Sequence, residues 1–303
     1  MTNTSSSSPI NHARGNMPLM PDAYEETGGW DDAPLLLASP HSGRFYPQAL
    51  VDSAQLPVDD LRRLEDPFVD LLLDAAVGER LPTIRSVYAR GWIDLNRRET
   101  EIDPRQVEPT PTSHIDHQSP RVTAGLGLVP ASTGPGRPIY ARQLPLADVQ
   151  ARIAAVHRPY HQRITERLGA MHRRHGIALF LDIHSMPPLP ASQMADLVVG
   201  DRHGRSAAAW LVDHVIDWLG ARGYRVTRNV PYAGGHGIER HGNPAAGIHA
   251  IQIEIDRSLY LERDWRRLSS RAAEISAMLG GLAASLQPLL TMDDDGSDQL
   301  AAE

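Results

Sequence analysis

The second half of the chain alternates short apolar runs with helical stretches, and that order limits the fold more than any other feature. "IALFLDIH" (Ile177–His184) and "ADLVVGD" (Ala195–Asp201) read as strands, followed by a helix over Arg205–Gly223. "YRVTRNV" (Tyr224–Val230) and "GIHAIQIEID" (Gly247–Asp256) are further strands, and a last helix is expected over Arg263–Leu286. Upstream, Pro145–Gly176 is helical, with Gly176 placed as its C-cap. Strands alternating with helices predict an α/β domain around a partly parallel sheet. Such sheets carry ligand sites beyond the carboxyl ends of their strands.

The first half adds "PLLLASP" (Pro34–Pro40) as a buried strand. Leu61, Leu64, Phe68, Leu71, Leu72 and Ala75 have helical spacing, and Pro67 should split that helix in two. "TIRSVYA" (Thr83–Ala89) and "WIDLN" (Trp92–Asn96) look like strands. Pro104–Pro138, rich in Pro, Thr, Ser and Gly, reads as a long surface excursion, of the kind that often forms a lid or binding loop. Residues 1–28 and 289–303 read as mobile tails around one catalytic domain over 29–288.

Composition removes whole classes of chemistry. The chain has no Cys, so thiol nucleophiles, disulfides and thiolate zinc sites are excluded. It has no Lys either: all 30 basic residues are Arg, which removes the P-loop lysine and the Schiff-base lysine. A net charge of −7 without a basic block argues against a nucleic-acid partner. No apolar stretch approaches the roughly 20 residues that span a bilayer, and the N-terminus lacks the order of a secretory signal. A cytoplasmic protein is expected. Its oligomeric state is not legible.

The 14 His leave metal chemistry open, and four places concentrate polar side chains at strand ends. "SPHSG" sets His41 directly after a strand, where an imidazole serves either as a metal ligand or as a turn residue bonded to backbone. "FLDIHSM" puts Asp182 and His184 on one strand face, so that Asp182 can orient a neighbouring ligand. "AIQIEID" puts Gln252, Glu254 and Asp256 opposite Ile251, Ile253 and Ile255. That is either a half-exposed strand or a site face in which Glu254 acts as a general base. "GWIDLNRRE" ends in Asn96, Arg97 and Arg98, suited to a carboxylate ligand. Glu65, Asp66 and Asp70 form either a solvated acidic face or a source of ligands, with Glu65 and Asp66 at the Pro67 break, where a side chain can be aimed into a site.

Two other motifs carry less. "HRPYH" sets His157 and His161 at i, i+4, as in zinc proteases, but Arg158 stands where those have their Glu and Pro159 intrudes. "GGHGIERHG" (Gly234–Gly242) reads as a flexible, substrate-facing loop with no helix start after it.

The segments "SPHSGRFYP", "RLEDPFVD", "DLNRRE", "LDIHSMP" and "GIHAIQIEIDRSLYL", in this order, resemble the N-formylglutamate amidohydrolases over roughly residues 33 to 285. The resemblance implies an α/β fold in three layers, a mixed β-sheet flanked by helices, similar to zinc carboxypeptidases and aspartoacylases. It implies hydrolysis of N-formyl-L-glutamate, a small dicarboxylate N-acyl amino acid, to formate and L-glutamate in histidine degradation. The implied cofactor is Zn2+, although manganese, cobalt or iron also suits such ligands.

By the same resemblance His41 and His184 match the two histidine ligands and Glu254 the base that activates water. Asn96 and Arg97 match the pair that grips the substrate carboxylate. The superfamily's H-x-x-E carboxylate falls on Arg44 here, so the third ligand comes from elsewhere, with Asp66 favoured over Glu65. Arg240 is a looser candidate for a second carboxylate. A related zinc hydrolase acting on another N-acyl amino acid stays open, as does a non-catalytic metal- or ligand-binding protein on the same scaffold.

Overall fold

A computed structural model of the chain describes residues 20–29 and 33–291. Its strands are β1 (Tyr24–Thr27), β2 (Leu35–Ser39), β3 (Thr83–Ser86), β4 (Val107–Glu108), β5 (Leu144–Pro145), β6 (Ala178–Met186), β7 (Leu197–Gly200), β8 (Val226–Arg228) and β9 (Ile248–Asp256). The helices are α1 (Gln48–Ser53), α2 (Val58–Leu61), α3 (Val69–Val77), α4 (Pro120–Thr123), α5 (Leu146–Arg152), α6 (Arg158–His175), α7 (Ala209–Gly220), α8 (His236–His241) and α9 (Ala272–Thr291). Seven strands form one sheet in the order β1-β3-β2-β6-β9-β7-β8, and β4 pairs with β5 apart from it. The central strands β3, β2, β6 and β9 are parallel, while β1 and β7 join antiparallel.

Parallel strands need cover on both faces, and the period-2 alternation supplies it. Leu35 and Leu37, Leu179, Leu181 and Ile183, and Ile251, Ile253 and Ile255 pack on one face with apolar residues of α3, α7 and α9. Leu36, Ala38, Phe180 and Ala250 pack on the other with those of α5 and α6. On this second face both central strands change character toward their carboxyl ends. Phe180 gives way to Asp182 and His184, and Ala250 to Gln252 and Glu254. The register pairs Asp182 with Gln252 and His184 with Glu254. The polar face of β9 is therefore covered and not solvated: Gln252 and Asp256 are buried and Glu254 half-buried.

Several expectations need correction. Tyr24–Thr27, inside the expected tail, is an edge strand on β3. Residues 289–291, placed in the expected C-terminal tail, are the end of α9, and residues 1–19 and 292–303 lie outside the described residues. "WIDLN" is not a strand: Trp92 N–H bonds Ala89, and Asp94 accepts from Asn96 N–H, which are turn bonds and not ladder bonds. The last helix begins at Ala272, not Arg263. Before it Trp265 sits at φ 56°, and Asp264 Oδ1 accepts from Arg266 N–H. The excursion is packed down by buried Val107, Leu128 and Val129 and carries α4. Gly234–Gly242 is not a loop throughout, because it contains α8.

The expected helix over Pro145–Gly176 has a π turn at Ile153–His157 between α5 and α6. Pro159 has no N–H to donate back along an α-helix, and a wider turn accommodates its ring. Gly176 closes α6 at φ 72°, its N–H bonded to His172 O at 2.8 Å. α9, against expectation, is long and apolar enough to cross a membrane by length and composition alone. Its Ile275, Leu279, Leu282 and Leu286 are buried in the core beside α3 and α7, so its apolarity has a structural use.

Candidate active site

β2 ends at Ser39, and the following turn carries His41 over the sheet's carboxyl edge. β6 brings His184 to the same edge. The break before α3 brings Asp66, whose N–H bonds His41 O at 3.0 Å. The donor atoms converge. His184 Nδ1 lies 3.0 Å from Asp66 Oδ2 and 3.2 Å from His41 Nδ1, and His41 Nδ1 lies 3.3 Å from Asp66 Oδ2. Tetrahedral ligands about 2.0–2.2 Å from a zinc ion stand about 3.3–3.6 Å apart. All three residues are at most 2% exposed.

The atoms behind these donors fit a cation. His41 Nε2 lies 2.7 Å from Asp94 Oδ1, which fixes the proton there and leaves Nδ1 as a lone pair. Asp94 is in turn held by Arg90 Nε at 2.8 Å. Behind His184, Nε2 lies 3.1 Å from Asp182 Oδ2, an ion-pair contact without hydrogen-bond alignment, and 3.3 Å from Asn96 Nδ2. The Oδ1 of Asp66 accepts from Arg257 Nη2 at 3.1 Å, leaving Oδ2 for the centre. Ring nitrogens that give their far N–H to a carboxylate are the usual pattern around a metal.

Electrostatics agree. Burial opposes charge on His184, yet Asp182, Asp66 and Glu254 together push its pKa well above the ordinary imidazole value. Burial likewise opposes the Asp66 carboxylate, but the two imidazoles hold its pKa well below the usual range. The field that would keep a proton between these groups serves a divalent ion equally. Glu254, on β9, opens onto the same space, with Oε1 accepting from Gln252 Nε2 at 2.8 Å. Burial first, and then the nearby Asp66 charge, raise its pKa, as suits a general base.

A cavity of about 600 Å3 covers these groups. Asn96 and Arg97 line it. Asn96 Oδ1 accepts from Gly237 N–H at 2.8 Å. Arg97 gives Nε to Leu126 O and Nη1 to Asn96 O, while Nη2 is buried without a hydrogen bond. Burial lowers its pKa to about 10. Glu65 turns away: Tyr46 donates to it, and it lines a neighbouring groove beside Arg44. Arg44 itself pairs with Asp70. Arg240 lines a separate groove with Glu99 and Arg158, outside the cavity over Glu254.

Sequence reasoning missed three residues here. Asp94 was hidden in an expected strand, although "DLN" followed by two Arg is a polar strand-end pattern. Arg257 directly follows the β9 strand and secures Asp66. Arg121, on α4, lines the cavity close enough for its charge to act on Arg97. Only the Pro-rich composition of its segment hinted at a lid.

A sequence model of the N-formylglutamate amidohydrolase family matches residues 33–261. The chain belongs to that family. It is 31% identical over 240 residues to an N-formylglutamate deformylase of Pseudomonas aeruginosa, covering 76% of this chain and 82% of that protein. A second deformylase of that name, from Pseudomonas putida, is 29% identical over 238 residues, with the same two shares. Among solved structures, the N-formylglutamate amidohydrolase of Ralstonia eutropha JMP134 superposes with a TM-score of 0.80 at 34% identity, over 88% of this chain and 98% of that one. A gene product of Agrobacterium tumefaciens at 19% identity shares the fold, with a TM-score of 0.60 over 89% of this chain and 95% of that one.

Proposed function

We propose that this chain hydrolyses N-formyl-L-glutamate to formate and L-glutamate, using a zinc ion held by His41 Nδ1, Asp66 Oδ2 and His184 Nδ1. The observation that carries the reading is the triangle of buried donors, 3.0 to 3.3 Å on a side, beside Glu254. Family membership and the names of the relatives support the substrate. Bound zinc supplies a Lewis acid that lowers the pKa of water to about 7 and polarises a carbonyl.

Every other part falls to side chains. Glu254 takes the proton of the water that attacks the formyl carbon and returns it to the departing amino nitrogen. Formate and the free amine of glutamate result, so atoms and charge balance. A positioned carboxylate of this kind contributes about 10²–10⁴-fold. Asp94 and Asp182 keep the two imidazoles turned toward the centre. Arg97 and Arg121 take the substrate's carboxylates. Two guanidinium groups facing one cavity repel each other, and a dianion between them removes that repulsion.

The test is formate release from a panel of N-formyl and N-acetyl amino acids, with and without a chelator. The proposal expects N-formyl-L-glutamate to be preferred and the activity to vanish on chelation and return with zinc. Chelator-resistant activity would remove the metal from the account. Preference for an N-acetyl substrate would move the chain to another acyl amino acid.

A further inference from the structure

A second group of histidines lies against the Leu95–Arg97 segment. His157 and His161 share one face of the α6 region, and His236 opens α8, with one nitrogen from each lying within 4.8 Å of the others. Ring centroids are 4.5 Å apart for His157 and His161, and 5.1 Å for His161 and His236. His157 and His161 are fully buried. Each gives its Nε2–H to a backbone carbonyl, Arg97 O and Leu95 O, both at 2.8 Å. That leaves Nδ1 of each as the lone pair, free on His157 and facing His241 Nε2 at 3.0 Å on His161.

The Nδ1 of His157 and both nitrogens of His236 are buried without a hydrogen-bond partner. Leaving a buried polar group unsatisfied is destabilising, so a purely structural network leaves this group unexplained. His157, with its far N–H on a carbonyl and its near nitrogen free, shows the arrangement a metal ligand takes.

We propose that His157, His161 and His236 form a second divalent-metal site, of the three-imidazole type that takes zinc or cobalt. His157 and His161 each give one N–H to a carbonyl and so present the other nitrogen as the lone pair that metal binding requires. Three neutral nitrogens leave a fourth position open. His241 Nε2, 3.0 Å from His161 Nδ1, and the Glu99 carboxylate, 3.7 Å from His157 Nδ1, are the nearest groups to fill it. The charge of Arg240 opposes the ion, while Glu99 and Glu239 offset it. The ion would tie α8 to α6. Because His157 and His161 bond the backbone of Arg97 and Leu95, and α8 bonds Asn96, it would also stiffen the segment that carries Asn96 and Arg97 into the cavity.

The full chain, stripped with chelator, is titrated with Zn2+ alone and its bound metal counted. The proposal expects about two zinc ions per chain, falling to about one in His236→Gln and also to about one in Asp66→Asn. Cobalt added to Asp66→Asn should give intense visible ligand-field bands that His236→Gln abolishes. This needs no activity and does not depend on the buried His157 tolerating change. About one zinc in the wild type and none in Asp66→Asn would overturn the second site, as would cobalt bands indifferent to His236.

Discussion

Asp182→Asn tests the site through a residue that touches neither substrate nor metal in the proposed arrangement. The side chain is 1% exposed, and its Oδ2 lies 3.1 Å from His184 Nε2. Asn fills the same space and can still accept that N–H through its carbonyl, so orientation survives while the charge is lost. Charge is what matters for ligand strength, because Asp182 is the largest influence raising the basicity of His184 against the effect of burial. Replacing such a partner weakens metal binding about 10–100-fold, which is about 1.4–2.7 kcal/mol. The assay is competition for zinc against a chromophoric chelator, with circular dichroism confirming the fold. An affinity within threefold of wild type would refute the role given to the Asp182 charge. A loss as complete as that of Asp66→Asn would refute it in the other direction, by making Asp182 a ligand itself.

Arg121→Ala should raise KM for N-formyl-L-glutamate about 10–100-fold with kcat little changed, as removal of one charged hydrogen bond predicts. The loss should shrink for an N-formyl amino acid lacking the side-chain carboxylate; an unchanged KM for the dicarboxylate would remove Arg121 from the pocket. Glu26 on β1 accepts from Arg163 Nε at 2.6 Å and Arg167 Nη2 at 3.0 Å, and these pairs outweigh burial to lower its pKa. A lowered carboxylate pKa stabilises the fold above the unfolded value near 4.5, and that stability is lost as pH falls through the folded value. Glu26→Gln should therefore cost about 2 kcal/mol at pH 7 in urea unfolding, and progressively less as pH falls below 4.5. A cost independent of pH would place the effect in packing.

Much of the fold was legible because the central strands announce themselves. The isoleucines of β9 and the leucines of β6 recur every second residue, and the helices between them carry helical spacing. The ends were harder. Tyr24–Thr27 has no apolar alternation to mark it, since an edge strand with only one partner buries little. The α9 boundary was set by a turn around Trp265 and Asp264, not by the apolar pattern.

At the site, His41, His184 and Glu254 could be singled out because a polar side chain at the end of an apolar strand is conspicuous. Asp66 stood beside a proline break, and the structure brings it, and not Glu65, to the two imidazoles. Asp94 and Arg121 were invisible for different reasons. Asp94 acts from a turn that resembled a strand. Arg121 reaches the cavity only because a segment without periodicity folds back over it. The histidines of α6 and α8 illustrate a third limit: matched against a protease motif, His157 and His161 lacked their base. Only tertiary folding adds His236 from a distant part of the chain.

The most direct test of the whole account is formate release from N-formyl-L-glutamate by Glu254→Gln, at a metal content equal to that of the wild type. Removal of a general base predicts a fall in kcat of about 10²–10⁴-fold with KM little changed. A rate near that of the wild type, with the metal in place, would contradict the assignment of Glu254 and the mechanism built on it.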